Sequence, residues 1–224
     1  MRRHLPLLLD FSHNVVRQVL SCLLVPPALC AEKSYAPALL GGPDTPAPVL
    51  VDGTCGNGYD TLFLAQTLRD APSLSPISLL SFDIQAEALA NAEQLLADHG
   101  LAGRATFIHQ GHEQVADHVP QGAGILVAMY NLGFLPGSDK SVVTQAQTSI
   151  VSFTAVAGLM PAGGLLSVHA YGGHTGGLEE LAATDAWFRA LPPKNWRVLR
   201  HEICNKARNP EVLYLAERLR KRAV

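Results

Sequence analysis

Between Val51 and Thr61 the chain reads V-D-G-T-C-G-N-G-Y-D-T: an apolar run reaches Asp52, glycines crowd into a turn, and a second acid, Asp60, follows. Glycine lets backbone approach a bound molecule closely, so such a turn suits a ligand, and charge decides which one. A phosphate-cradling loop needs Lys followed by Ser or Thr, and this turn has no Lys. A dinucleotide fingerprint wants GxGxxG opening a helix whose free amides meet a pyrophosphate. Here the pattern is Asp52, Thr54, Gly56, Gly58, with an acid on either side. Carboxylates in those places repel a pyrophosphate and attract a cation. S-adenosylmethionine carries a sulfonium and an ammonium and no phosphate, which fits. Asp83, closing the apolar stretch S-L-L-S-F-D, is placed to accept the hydroxyls of a ribose. The competing reading is that Asp52 and Asp60 only cap the helix that follows.

Other residues carry weaker signals. His109 and His112, with His169 and His174 later, raise the question of a metal; no carboxylate or Cys completes the set at ligand spacing, so none is expected. Asp139 and Lys140 read equally well as site residues and as a local ion pair shaping a turn. Tyr171 and His174 follow a strand and are expected to line an acceptor pocket. Tyr130, Trp187 and Phe188 read as core.

These residues need a scaffold that delivers them to one place. Leucines and valines at helical spacing predict an amphipathic helix over residues 5–24, ending before Pro26. A Pro-rich connection with Gly41 and Gly42 runs on to Pro48. Then strands and helices alternate: strands over 48–52, 77–83, 105–110, 124–131 and 164–171, with helices over about 60–68, 86–100, 148–160 and 178–191 and a short one before the fourth strand. Alternation of this kind predicts a mostly parallel sheet covered by helices on both faces. The last two strands, 196–203 and 211–218, are joined by so short a link that they must form an antiparallel hairpin. In an open sheet of this class ligands sit beyond the carboxyl ends of the strands, which is where the glycine turn and Asp83 fall. The chain divides into an N-terminal helix and connection, 1–48, and a single domain, 49–224.

Composition bounds the rest. With 224 residues and 48% apolar content, one ordinary core is accounted for. The net charge of −2 hides an asymmetry: residues 189–224 carry +7 and the remainder −9. A basic end on an acidic body suits a polyanion docking beside a site, although such a segment can equally be a solvated tail. Four scattered cysteines favour a reducing compartment. The N-terminus mimics a signal peptide, but Asp10, His13, Asn14 and Arg17 interrupt its apolar region. No uninterrupted stretch is long enough for a membrane span, and a cytoplasmic location is expected.

The segments VDGTCGNGYDTLFLA, SFDIQAEAL, HQGHE, AMYNLGFLPGSDKSVVT, GGLLSVHAYGGHTGG and NPEVLYLAER, in this order, resemble the putative rRNA methylase family of class I S-adenosylmethionine-dependent methyltransferases. The resemblance spans about residues 49–217 and implies a Rossmann-like, seven-stranded α/β fold. It implies a cofactor site drawn from Asp52, Thr54, Gly56, Asn57, Gly58, Asp60, Thr61, Asp83, Ile84, Gln85, Gly111, His112, Glu113 and Asn131, with His112 against the adenine. Characterised members methylate the 5-aminomethyl group of the tRNA wobble uridine. On that pattern Asn131 and the Leu132 carbonyl accept the amine hydrogens, Phe134 stacks on the base, Asp139 attracts or deprotonates the amine, and Lys140 meets a phosphate or positions the loop. Tyr171 and His174 complete the substrate side. The implied partner is tRNA at its anticodon region, and a homodimer is implied as well. An rRNA methylase, a small-molecule amine methyltransferase and a non-catalytic RNA-binding module are the rival readings, with a nicotinamide oxidoreductase as a minor one.

Overall fold

A computed structural model describes residues 7–22, 46–71, 74, 76–133, 143–205 and 208–220. Seven strands form one sheet: β1 (Val49–Asp52), β2 (Ser78–Asp83), β3 (Thr106–His109), β4 (Ile125–Leu132), β5 (Leu165–Tyr171), β6 (Trp196–Glu202) and β7 (Glu211–Arg218), in the order β3-β2-β1-β4-β5-β7-β6. The first five run parallel, and β7 is antiparallel to both β5 and β6. The strands read as continuous apolar runs because both faces are covered: every residue of β1 is buried, and so is all of β4 apart from Asn131. The predicted class is therefore present, and the hairpin too. Its insertion is a finding, since β7 sits inside the sheet and β6 takes the edge.

Among the described residues, helices α1 (Leu8–Cys22), α2 (Tyr59–Arg69) and α3 (Ala86–Asp98) are followed by a 3₁₀ turn, His112–Gln114, running into α4 (Val115–His118), and then by α5 (Ala146–Leu159) and α6 (Gly177–Ala190). One face buries Val16 and Leu20 of α1, Phe63 and Leu64 of α2 and Leu96 of α3 against Leu50, Leu79, Leu126 and Leu213. The other packs Phe153 of α5 and Phe188 of α6 against Tyr130, Val168 and Tyr214. Tyr130 and Phe188 are core, as expected; Trp187 is half-buried beside them. The N-terminal helix is tied to the sheet by a buried hydrogen bond of 2.7 Å between the Ser12 and Ser167 hydroxyls.

From β1 the chain winds outward through β2 to β3, then crosses back to place β4 on the other side of β1. The loops beyond β1 and β4 thus leave in opposite directions and open a crevice at their carboxyl ends.

Candidate active-site cleft

A cleft of about 770 Å³ fills that crevice. Its floor is the glycine turn. Gly58 is the cap of α2 with φ of 83°, and no side chain caps the helix, so neither Asp52 nor Asp60 plays that part. Gly58 is glycine for a packing reason as well: a Cβ there would meet the Cβ of Ala92 on α3 at 2.6 Å. The amides of the turn are directed inward. Gly53 N–H donates to Met129 O, Cys55 N–H to Phe82 O and Gly58 N–H to Cys55 O, each at 2.8 Å. Thr54 N–H donates to Asp52 Oδ1 at 3.2 Å and Gly56 N–H to Asp83 Oδ2 at 2.8 Å. A pyrophosphate nest needs such amides open, and these are spent on protein acceptors.

The carboxylates divide into two layers. Asp52 is fully buried behind the turn, where Thr61 Oγ1 donates to it at 2.6 Å. Burial and the neighbouring Asp60 charge push its carboxyl up to about 7. The same burial, with Asp52 beside it, raises the Cys55 thiol to about 12 and keeps it protonated. Asp60, Asp83 and Glu113 face the cleft itself, and among the described lining residues there is no Lys or Arg. Each Asp83 oxygen takes one amide hydrogen, from Gly56 and from Gln85, which leaves lone pairs for further donors. His112 is buried with Nε2 unpartnered, and desolvation lowers its pKa, so it presents a neutral imidazole.

Asn131, at the end of β4, is fixed from two sides. Its backbone N–H donates to Thr54 Oγ1 at 2.7 Å, and its Nδ2 donates to Asp60 Oδ2. The opposite end of the amide, Oδ1, is buried without a partner. Across the cleft, Tyr171 donates or accepts at His169 Nδ1, 2.9 Å away, and His169 Nε2 lies 3.2 Å from Glu211 Oε1. Residues 143–145 form a further part of the described lining. They are held by the buried Glu180 of α6, which accepts from Thr144 Oγ1 and Ser149 Oγ at 2.6 Å each.

The sequence profile of the putative rRNA methylase family matches residues 79–217, more than half of the chain. The chain belongs to that family. Membership makes it a methyltransferase, and the methyl donor of this class is S-adenosylmethionine. A chloroplastic tRNA (mnm(5)s(2)U34)-methyltransferase of Arabidopsis thaliana is 30% identical over 174 residues, covering 75% of this chain and 63% of that relative's length. A putative rRNA methylase of Clostridium thermocellum superposes with a TM-score of 0.76 at 27% identity, over 97% of this chain and all of the other. A putative methyltransferase of Streptococcus mutans, solved with SAH, gives 0.73 at 23% identity, covering 96% and 99% of the two chains.

In this member of the putative rRNA methylase family the cleft gathers Thr54, Gly56, Asn57, Asp60, Asp83, Ile84, Gln85, Gly111, His112, Glu113, Asn131, Leu132, Tyr171 and His174 from the residues singled out in the sequence. Asp52, Gly58 and Thr61 do not line it; they brace the turn from behind. Phe134, Asp139 and Lys140 lie outside the described residues. No cluster of metal-ligating side chains occurs among the described residues. The sequence reading missed Leu9 of α1, Tyr59, Thr144 and Asn209, all in the lining. Asn209 stands just before Pro210 at a positive φ of 53°, a short polar turn signal; Leu9 and Tyr59 carried none.

Proposed function

We propose that the protein is an S-adenosylmethionine-dependent N-methyltransferase acting on the 5-aminomethyl group of the tRNA wobble uridine, to give the methylaminomethyl form, in the cytoplasm. The observation that carries this reading is the buried, unpartnered Asn131 Oδ1, an acceptor awaiting an N–H donor beside Asp60 in the cleft. The cofactor fits the residues present: turn amides closed to phosphate, carboxylates facing where cations would lie, and Asp83 with lone pairs for ribose hydroxyls. Ile84 and Gln85 flank that sugar position, and Gly111, His112 and Glu113 form the adenine side.

When bound, the cofactor supplies an electrophilic methyl group. The protein's own work is on the amine. A free alkylamine titrates near the Lys reference of about 10.4, so the neutral, nucleophilic form must be favoured by desolvation and by acceptors for its hydrogens. Asn131 Oδ1 and the Leu132 carbonyl are such acceptors, and they aim the nitrogen lone pair away from themselves. On transfer the amine would exchange one N–H for the new N–C bond, the S–C electron pair staying on sulfur and the released proton passing to water, while Asn131 Oδ1 and the Leu132 carbonyl hold the nitrogen in place. Orientation of the two reactants contributes about 7 to 11 kcal/mol in well-aligned cases. The name of the Arabidopsis relative supports the wobble-uridine acceptor, and the basic segment at 189–224 supports a tRNA partner.

The test is nucleoside mass analysis of tRNA from cells lacking the protein. The methylaminomethyl nucleoside should vanish and the aminomethyl precursor accumulate. Purified protein should transfer label to that tRNA, and Asn131→Ala should cut turnover by about 100-fold, a larger effect than any on cofactor binding, with the fold preserved. Label appearing in ribosomal RNA instead, as the family's description suggests, would overturn the tRNA assignment.

A further inference from the structure

We infer that His13, on the N-terminal helix, is a positioning residue for the methyl transfer, acting through Asp60 to fix the orientation of the Asn131 amide. This deepens the reading above and rests on it. His13 Nε2 lies 2.6 Å from Asp60 Oδ1, and Asp60 Oδ2 accepts from Asn131 Nδ2. The three side chains thus form one continuous line from α1, across the first turn of α2, to the end of β4.

The direction of the line follows from chemistry. A carboxylate only accepts, so whatever faces it must donate. The imidazole therefore presents an N–H to Oδ1, and the Asn131 amide must turn its NH₂ toward Oδ2. That leaves Asn131 Oδ1 as the end facing away from Asp60, and it is the end found buried with no partner. Remove the His13 donor, and Asp60, only 5% exposed in its side chain, keeps a vacant acceptor that competes for the same NH₂ or draws in water. The amide then loses its fixed aim. His13 is itself held: its ring stacks on that of Phe63 with centroids 3.9 Å apart and planes within 1°, and the Arg17 guanidinium lies 5.2 Å from the centre of the Phe63 ring. Such locking is more than a surface His needs. His13 lies outside residues 79–217 and outside the resemblance at 49–217, so neither assigns it a role.

Two substitutions separate packing from hydrogen bonding. His13→Phe keeps a flat ring on Phe63 and removes the N–H; His13→Gln keeps an N–H donor and removes the ring. We expect His13→Phe to lower kcat about tenfold with KM for S-adenosylmethionine within about twofold, and His13→Gln to recover most of that loss. In the full-length protein without substrate, the side-chain amide signals of Asn131 in a ¹⁵N spectrum, assigned through their absence in Asn131→Ala, should move in the Phe variant and stay near wild-type positions in the Gln variant. Wild-type rates in both variants, equal losses in both, or Asn131 signals indifferent to His13→Phe would each overturn the inference. If the wild type transfers nothing to aminomethyl-bearing tRNA, the acceptor assignment fails, and the amide signals still decide the role of His13.

Discussion

At the scale of single residues, the cleft is governed by where charge is tolerated. Asp52 sits where burial and Asp60 raise its carboxyl from the ordinary 3.8 to about 7. The folded protein therefore holds a proton that the unfolded chain has already released, so stability falls as pH rises from about 4 to about 7 and then levels off. Asp52→Asn should flatten this slope. Denaturant unfolding near pH 5 and near pH 8 should show the wild type losing at least about 1 kcal/mol between them and the variant losing less. Cys55 offers a second check, because a buried thiol with its pKa near 12 is a poor nucleophile. At neutral pH an alkylating reagent should label the exposed Cys204 and spare Cys55 until the protein unfolds. Asp60, Asp83 and Asn131 were legible in the sequence because each ends a strand or opens a helix, where parallel sheets gather ligands. His13 and Leu9 were not, since they stand 40 and 44 positions before Gly53 and only packing of α1 brings them to the glycine turn.

At the scale of elements, α1 and α6 do what the sheet alone cannot. Helix α6 contributes Glu180, whose two oxygens bind the wall at Thr144 and the start of α5 at Ser149. Glu180→Ala should free residues 143–145 and raise KM for the acceptor about tenfold, with a smaller effect on cofactor binding, as steady-state kinetics and calorimetry would show. Leaving two hydroxyls unpaired in a buried place should also cost stability, about 1–3 kcal/mol, readable by denaturant melting. Helix positions were predictable to within two or three residues from apolar spacing and from stops such as Pro161. What each helix covers was not, because amphipathic spacing tells that a face is buried and not against which strand.

At the scale of the whole molecule, the basic segment seen in the sequence looks different once folded. Arg189 and Arg200 pair with Asp185, Arg200 also with Glu202, and Arg197 with Glu217; Arg218 lies over Trp196. The charge asymmetry of the chain persists, but part of it is answered locally, which no count of residues could show. If tRNA docks here, its affinity should drop by several orders of magnitude between about 50 and 200 mM salt, whereas S-adenosylmethionine binding should hardly change, a comparison that titrations can make directly. The strand order was likewise beyond the sequence, because nothing local marks β7 for a place between β5 and β6. That placement governs biogenesis. β5 and β6 leave the ribosome before the strand that joins them, so a nascent chain displays raw edges until residues 211–218 emerge, and interrupted synthesis at that stage yields a species prone to clump with its own kind.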